Sequence, residues 1–330
     1  MLEKIKGHHT ITEHLKKEIL SGGVSHAYLF TGINGVGKKK TALEFAKSLL
    51  CTATENKPCG RCSVCSQIDH GNHPDVQVIT PKEGETTIKI TQVREMVGKL
   101  SIKPYTGDLR MIIIDDADCM TPEAQNSLLK SLEEPLSYNL FVLLTTHPQS
   151  ILTTIRSRCQ SYYFHPLNNE VVAAILKAET EYDSAAINGV LHQSGGSPGM
   201  GLYLLANSDI QNERKLFLRD VYHLLKGDEL KVFALAESLS KDKALSEERL
   251  GFLIQWFYEV GLLLQSFELA EGQQPDEAHI AYLKILNNEK NEAILKTLFE
   301  MMAILQYNVN LRLQWEMTFI KIMEIQKGYN

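Results

Sequence analysis

Hydrophobic and polar positions fall into two textures along this chain, with the change near residue 166. Before it, short apolar runs alternate with helical stripes. "AYLFTG" (27–32), "RMIIIDD" (110–116), "LFVLLTT" (140–146) and "QSYYF" (160–164) have the length and the β-branched or aromatic content of buried strands. "DVQVIT" (75–80) and "TTIKI" (86–90) read as two more β pieces, separated by the turn-like "PKEGE". Between the runs lie helical patterns. Residues 38–50 put Ala42, Leu43, Phe45, Ala46, Leu49 and Leu50 on one broad stripe, and 91–102 repeats Val93, Val97 and Leu100. The segment 121–135 opens with Thr121 as N-cap and Pro122 at the first helical position, buries Ala124, Leu128, Leu129 and Leu132, and stops before Pro135. Strands alternating with helices predict an α/β domain whose parallel sheet is covered on both faces.

After "HPLNN" the pattern is helical almost throughout. A glycine-rich break at "SGGSPGMG" (194–201) separates short helices from longer ones. The expected division is an α/β domain over 1–166, a small helical domain over 167–207 and an all-α domain over 208–330. In the last of these, "GDELK", "KDKALSEE" and "AEGQQPDEA" read as connections. Phe252, Trp256 and Phe257, and likewise Leu311, Leu313 and Trp315, read as core.

Length agrees with two or three domains, since 330 residues exceed one ordinary core. A net charge of −6 argues against a protein that binds nucleic acid through its overall charge. The N-terminal segment lacks the apolar stretch of a secretion signal, and no run is long enough to span a membrane, so a cytoplasmic location is expected.

Four motifs carry candidate chemistry. The first is "GINGVGKKKT" (32–41), which meets the pattern G-x-x-x-x-G-K-[ST] at Gly32, Gly37 and Lys38 and then places Lys39 where a hydroxyl normally holds magnesium. Gly32, Gly35 and Gly37 follow a strand and precede a helix, as a phosphate-cradling loop requires. Thr41 cannot substitute, because two residues along a helix rotate by about 200°. Nucleotide binding through backbone amides and Lys38 is therefore expected to survive, with hydrolysis impaired. The second is Asp115 at the end of a buried strand, suited to a magnesium site; Asp116 follows where related ATPases commonly carry a glutamate that activates water. Its side chain is one methylene shorter, and a displacement of about 1 Å can cost roughly 100-fold in rate.

The third motif is Cys51, Cys59, Cys62 and Cys65, spaced C-x7-C-x2-C-x2-C. Four thiols so close in a reducing compartment favour a structural zinc ion over disulfides, with Gly60 free to turn backbone amides toward sulfur. Redox chemistry or chance clustering are the alternatives. The fourth is Arg158 in "TIRSRCQ" (154–160), just before the last strand, where an arginine is either a surface ion-pair partner or a cation offered to a neighbouring subunit.

The "SRC" triplet after "LLTTHPQSILTTIR", the cysteine insert after the loop helix, and "NSLLKSLEEP" together resemble the clamp-loader ATPases of bacterial DNA polymerase III, within the AAA+ superfamily. The resemblance covers about residues 5–205 and implies a RecA-like α/β domain, a helical lid and a helical oligomerisation collar. It also implies a choice of class. Motor (gamma/tau) subunits of that family have an intact loop, an aspartate–glutamate pair and a lid arginine. Here the corresponding features are Lys39, Asp116 and Pro198 in "GGSPGMGL", with one collar domain. This profile resembles the delta-prime, or stator, class. By that resemblance Arg158 completes a neighbour's ATP site in trans. The implied partners are motor and delta subunits in a hetero-oligomer, with sliding clamp and primer–template DNA contacted indirectly. A motor-type ATPase and an unrelated zinc-dependent nucleic-acid module are the competing readings.

Overall fold

The computed structural model describes residues 2–328 except 56, 267–276, 306 and 308. The chain folds into two compact units, Met1–Leu205 and Ala206–Asn330.

The first unit is built on five strands, β1 (Ala27–Gly32), β2 (Val76–Ile79), β3 (Arg110–Ile114), β4 (Asn139–Thr145) and β5 (Gln160–Phe164). All pairings are parallel and the order across the sheet is β2-β3-β4-β1-β5. This is the α/β architecture that the alternating pattern predicts. Alternate strand residues serve two separate cores. Tyr28, Phe30, Met111, Ile113, Val142 and Leu144 face one of them. Helices α1 (His9–Ser21), α2 (Lys38–Leu50) and α3 (Ser63–Asp69) cover that face with Leu15, Phe45, Ala46 and Ile68. Leu29, Ile112, Ile114, Phe141 and Leu143 face the other. There α4 (Ile90–Lys99), α5 (Pro122–Glu133) and α6 (Thr153–Arg156) supply Val93, Met96, Leu128, Leu132 and Ile155. The inner strands β1, β3 and β4 are covered on both faces and are near-continuous apolar runs, whereas the edge strands β2 and β5 are partly exposed.

Three helices complete the unit: α7 (Asn169–Glu179), α8 (Ser184–Leu191) and α9 (Pro198–Ala206). Asn168 caps α7 by accepting from the Val171 N–H at 3.0 Å. As expected, Thr121 caps α5, its hydroxyl accepting from the Ala124 N–H at 3.3 Å. The piece "TTIKI" is not a strand. Only Ile88 forms a bridge, to Met120, and Ile90 already opens α4. Ile88 is fully buried, so its apolar character reflects packing and not pairing. The glycine-rich break is shorter than its sequence suggests, because Pro198, with its fixed φ, starts α9.

The second unit contains α10 (Ser208–Leu225), α11 (Glu229–Leu239), α12 (Lys243–Leu264), α13 (Glu277–Leu283), α14 (Asn288–Leu305) and α15 (Leu311–Lys327). One apolar core joins them through Val221, Leu235, Phe257, Leu298, Trp315 and Phe319. Its buried polar groups are partnered from helix to helix. The Trp315 indole N–H donates to Ser246 Oγ at 3.0 Å, and the Tyr282 hydroxyl to the Leu218 carbonyl at 2.7 Å. Two expected connections are largely helix: Glu229 opens α11 inside "GDELK", and Lys243 opens α12 inside "KDKALSEE". Most of "AEGQQPDEA" lies outside the described residues. Trp256, Phe257 and Trp315 are core, but Leu313 is exposed, on the outer side of α15. Among the described residues no helix is long and apolar enough to cross a membrane.

Candidate functional site

Ligands of open α/β sheets sit outside the carboxyl ends of the strands. At that edge β1 ends in Gly32, and the chain turns into α2 through three glycines with positive φ: 150° at Gly32, 71° at Gly35 and 114° at Gly37. Other residues rarely adopt such angles. Gly35 is further constrained by a close approach: a Cβ there would sit 2.5 Å from Ser197 Oγ and 3.0 Å from Gly199 Cα. The Gly199 N–H donates to the Gly35 carbonyl at 3.0 Å, and the Ser197 hydroxyl to the Asn34 carbonyl at 2.8 Å. The start of α9 is thereby fastened to the loop. From the other side His8 Nε2 donates to the Val36 carbonyl at 2.9 Å. Burial holds the His8 pKa below its ordinary value, with the Val36 contact opposing.

Lys38 is buried, and its ammonium donates to the carbonyls of Gly32 at 2.6 Å and Ile33 at 2.9 Å. Burial lowers its pKa while Asp115, Asp116 and Asp118 pull it back up. An ammonium has three donors, so one remains for a ligand. Lys39 forms an ion pair with Asp115, Nζ to Oδ2 at 3.0 Å. The Thr41 hydroxyl is fully buried and committed to the Gly37 carbonyl at 2.9 Å. Asp115 and Asp116 lie just beyond β3, which ends at Ile114, and Asp116 occupies the left-handed region at φ 54°. Burial, then Asp115 and Asp118, raise the Asp116 pKa. A cavity of about 670 Å³ gathers the loop and both aspartates. Lys4, Lys6 and Lys40 add positive charge to its wall, while Ile5, Leu167, Ile175 and Leu202 add apolar surface.

Sequence reasoning missed a third acid beside these two. Asp118 accepts from the Thr145 hydroxyl at 2.6 Å and lies 3.1 Å from His147 Nδ1. The available signal was a polar residue ending a buried strand. It also missed Lys47, almost fully buried in α2 and paired with both Glu44 and Asp69. The Asp69 contact ties α3 to α2.

The cysteine cluster lies just beyond α2. The four sulfurs of Cys51, Cys59, Cys62 and Cys65 lie within 4.8 Å of one another, and Cys51 and Cys62 are 3.8 Å apart. A tetrahedral thiolate centre with bonds of about 2.3 Å has edges of about 3.8 Å, so the set fits a metal ion. Backbone amides of Cys59, Cys62 and Cys65 each donate to a cluster sulfur at 3.4 Å. Gly60, at φ 69°, makes the turn. Burial disfavours the Cys62 thiolate, yet donors from Cys65 and Thr52 bring its pKa down to about 6. Burial pushes Cys65 up to about 12.

Arg158 sits at the opposite edge of the sheet. It precedes β5, whose first residue pairs with Tyr28, whereas the loop follows Gly32, which pairs with Phe164. Four strand residues separate these levels, about 13 Å at roughly 3.3 Å per residue. Arg158 is not among the residues lining the cavity. Its guanidinium donates to the Thr154 carbonyl at 2.9 Å and pairs with Glu133 Oε1 at 2.9 Å. The "SLEEP" and "SRC" segments, far apart in sequence, therefore meet at one ion pair.

Residues 7–168 match the family model described as DNA polymerase III, delta subunit. DNA polymerase III subunit delta' of Escherichia coli (strain K12) is 31% identical over 70% of this chain and 69% of its own length. The subunit of the same name from Pseudomonas aeruginosa is 31% identical over 76% of this chain and 74% of its own. DNA polymerase III subunit gamma of Buchnera aphidicola subsp. Baizongia pistaciae is 32% identical over 58% and 52% respectively.

Proposed function

The chain belongs to the delta-prime family of DNA polymerase III clamp-loader subunits, and from that premise we propose that it is a stator: a subunit that presents Arg158 to the ATP site of an adjacent gamma/tau motor subunit during sliding-clamp loading. The observation that carries this reading is the placement of Arg158. It lies at the amino edge of the sheet, about 13 Å of strand away from the chain's own phosphate loop at the usual rise per residue. A cation there serves a phosphate only on another molecule. Its pairing with Glu133 supports the reading, because an arginine finger accelerates hydrolysis by being preorganised toward charge that develops on a γ-phosphate. The carboxyl edge supports the same reading. Lys39 replaces the magnesium-binding hydroxyl, Thr41 is turned inward, and Asp116 is short for the role of activating water.

In this reading residues 1–166 form the RecA-like domain and residues 167–207 the lid. Residues 208–330 form the collar that joins motor and delta subunits; sliding clamp and primer–template DNA are met through the assembled complex in the cytoplasm. The four cysteines hold a structural zinc that supports a segment with few apolar residues. Metal analysis of protein purified without chelator should find about one zinc per chain, and Cys62→Ser should lose it. Protein without zinc would remove this part of the reading.

The decisive experiment is the DNA-stimulated ATPase rate of the reconstituted loader with wild-type chain and with Arg158→Ala. A large loss with assembly intact supports the stator, and an unchanged rate removes it. A second reading, a gamma/tau-like motor, is favoured by Lys38, Asp115 and Asp116 lining one cavity. Magnesium-dependent hydrolysis by the isolated chain would select it.

A further inference from the structure

A divalent cation in a phosphate loop is anchored by the loop hydroxyl and by the strand-end aspartate, and it neutralises the outer phosphates. In this chain both anchors are changed by one residue. Lys39 removes the hydroxyl, and its ammonium lies 3.0 Å from Asp115 Oδ2, on the carboxylate that would otherwise draw the metal. A magnesium ion reaching Asp115 would have to displace a cation already in contact with it. The neutralising role is also covered. Five lysines line the cavity against three carboxylates, an excess of positive charge before any ion is added. Lys38 is already held by two loop carbonyls with one donor left, and the loop amides need no metal to bind phosphate.

From these contacts we infer that the cavity takes a nucleoside polyphosphate without a divalent cation, the Lys39 ammonium standing in the place of magnesium. This rests on the reading of the loop as a nucleotide site retained in a non-hydrolysing subunit. Lys39 is half exposed, and ion pairs of that kind are weak, so its ammonium is free to bridge Asp115 and an incoming phosphate oxygen. The apolar residues Ile5, Leu167, Ile175 and Leu202 give the base a surface to lie on. Lacking a metal to polarise the γ-phosphate, the bound nucleotide persists as a structural ligand.

The test is equilibrium binding of a fluorescent ATP analogue to the isolated full-length chain, in excess magnesium and in excess EDTA. Wild-type protein should bind equally in both. Lys39→Thr restores the hydroxyl and frees Asp115; it should bind about tenfold or more weakly in EDTA, the scale of losing one hydrogen bond to a charged group, and recover in magnesium. Lys39→Met, with neither group, should be weak in both. Wild-type binding that needs magnesium overturns the inference, as does absence of binding in both conditions or a Lys39→Thr variant indifferent to magnesium. None of these results bears on Arg158. The stator reading fails separately, through an unchanged ATPase rate in the Arg158→Ala complex.

Discussion

The two edges of the central sheet present different things to their surroundings. The carboxyl edge has a loop of three positive-φ glycines, a buried lysine and a cavity, and there Lys39 is paired with Asp115. The amino edge stands outside that cavity, yet it holds one arginine in a defined place with two acceptors. A site that binds needs a surface; a site that lends a charge needs one rigidly aimed side chain. In the stator reading proposed above, hydrolysis given up at one edge constrains the other very little, and a subunit of an assembly can keep the sheet for its far side alone.

The sharpest way to break this contrast is Arg158→Ala. The stator reading expects the ATPase rate of the reconstituted complex to fall by about 10³-fold or more, the usual worth of an arginine finger. Substitution at the other edge should read out as stability and not as rate. Gly35→Ala adds a Cβ 2.5 Å from Ser197 Oγ at a position of positive φ. It should lower unfolding free energy by about 1–3 kcal/mol, as overpacking does, while the complex keeps its rate. Chemical denaturation and the same ATPase assay check the two halves. A rate that collapsed with Gly35→Ala would mean that the carboxyl edge works in catalysis after all. The smallest effect concerns Glu133→Gln. Because both partners of that pair are partly exposed, its stabilising worth is under about 1 kcal/mol. Its effect should be a several-fold loss of rate with unchanged stability, and Glu133→Asp should recover part of it.

Much of this was legible in the sequence, for reasons that vary by residue. The inner strands of the sheet were readable because burial on both faces turns a strand into a continuous apolar run, and the edge strands because of their β-branched and aromatic residues. Thr121 and Pro122 were readable because cap chemistry is local. "TTIKI" misled because a single bridge, Ile88 to Met120, and a buried side chain leave the same apolar mark as a strand. Leu313 misled because one exposed leucine on α15 looks no different from its buried neighbours. The cysteine spacing forecast the proximity of the four sulfurs. What could not be read was anything that depends on residues distant in sequence. The Arg158–Glu133 pair spans 25 positions. The Lys39–Asp115 pair spans 76. Lys47 gave no sign of being an interior charge, since an amphipathic helix normally keeps lysine on its wet face.

The contact between the phosphate loop and the start of α9 has a mechanical consequence. Gly35 and Gly199 meet backbone to backbone, and two hydrogen bonds flank the contact. Rotating α9 away from the loop would break both bonds and part a contact whose nearest side-chain atom is the short Ser197 hydroxyl. Such a joint leaves little room for sliding, because the two carbonyl acceptors belong to adjacent residues, Asn34 and Gly35. A displacement of α9 is therefore passed to residues 34 and 35 of the loop for as long as both bonds hold.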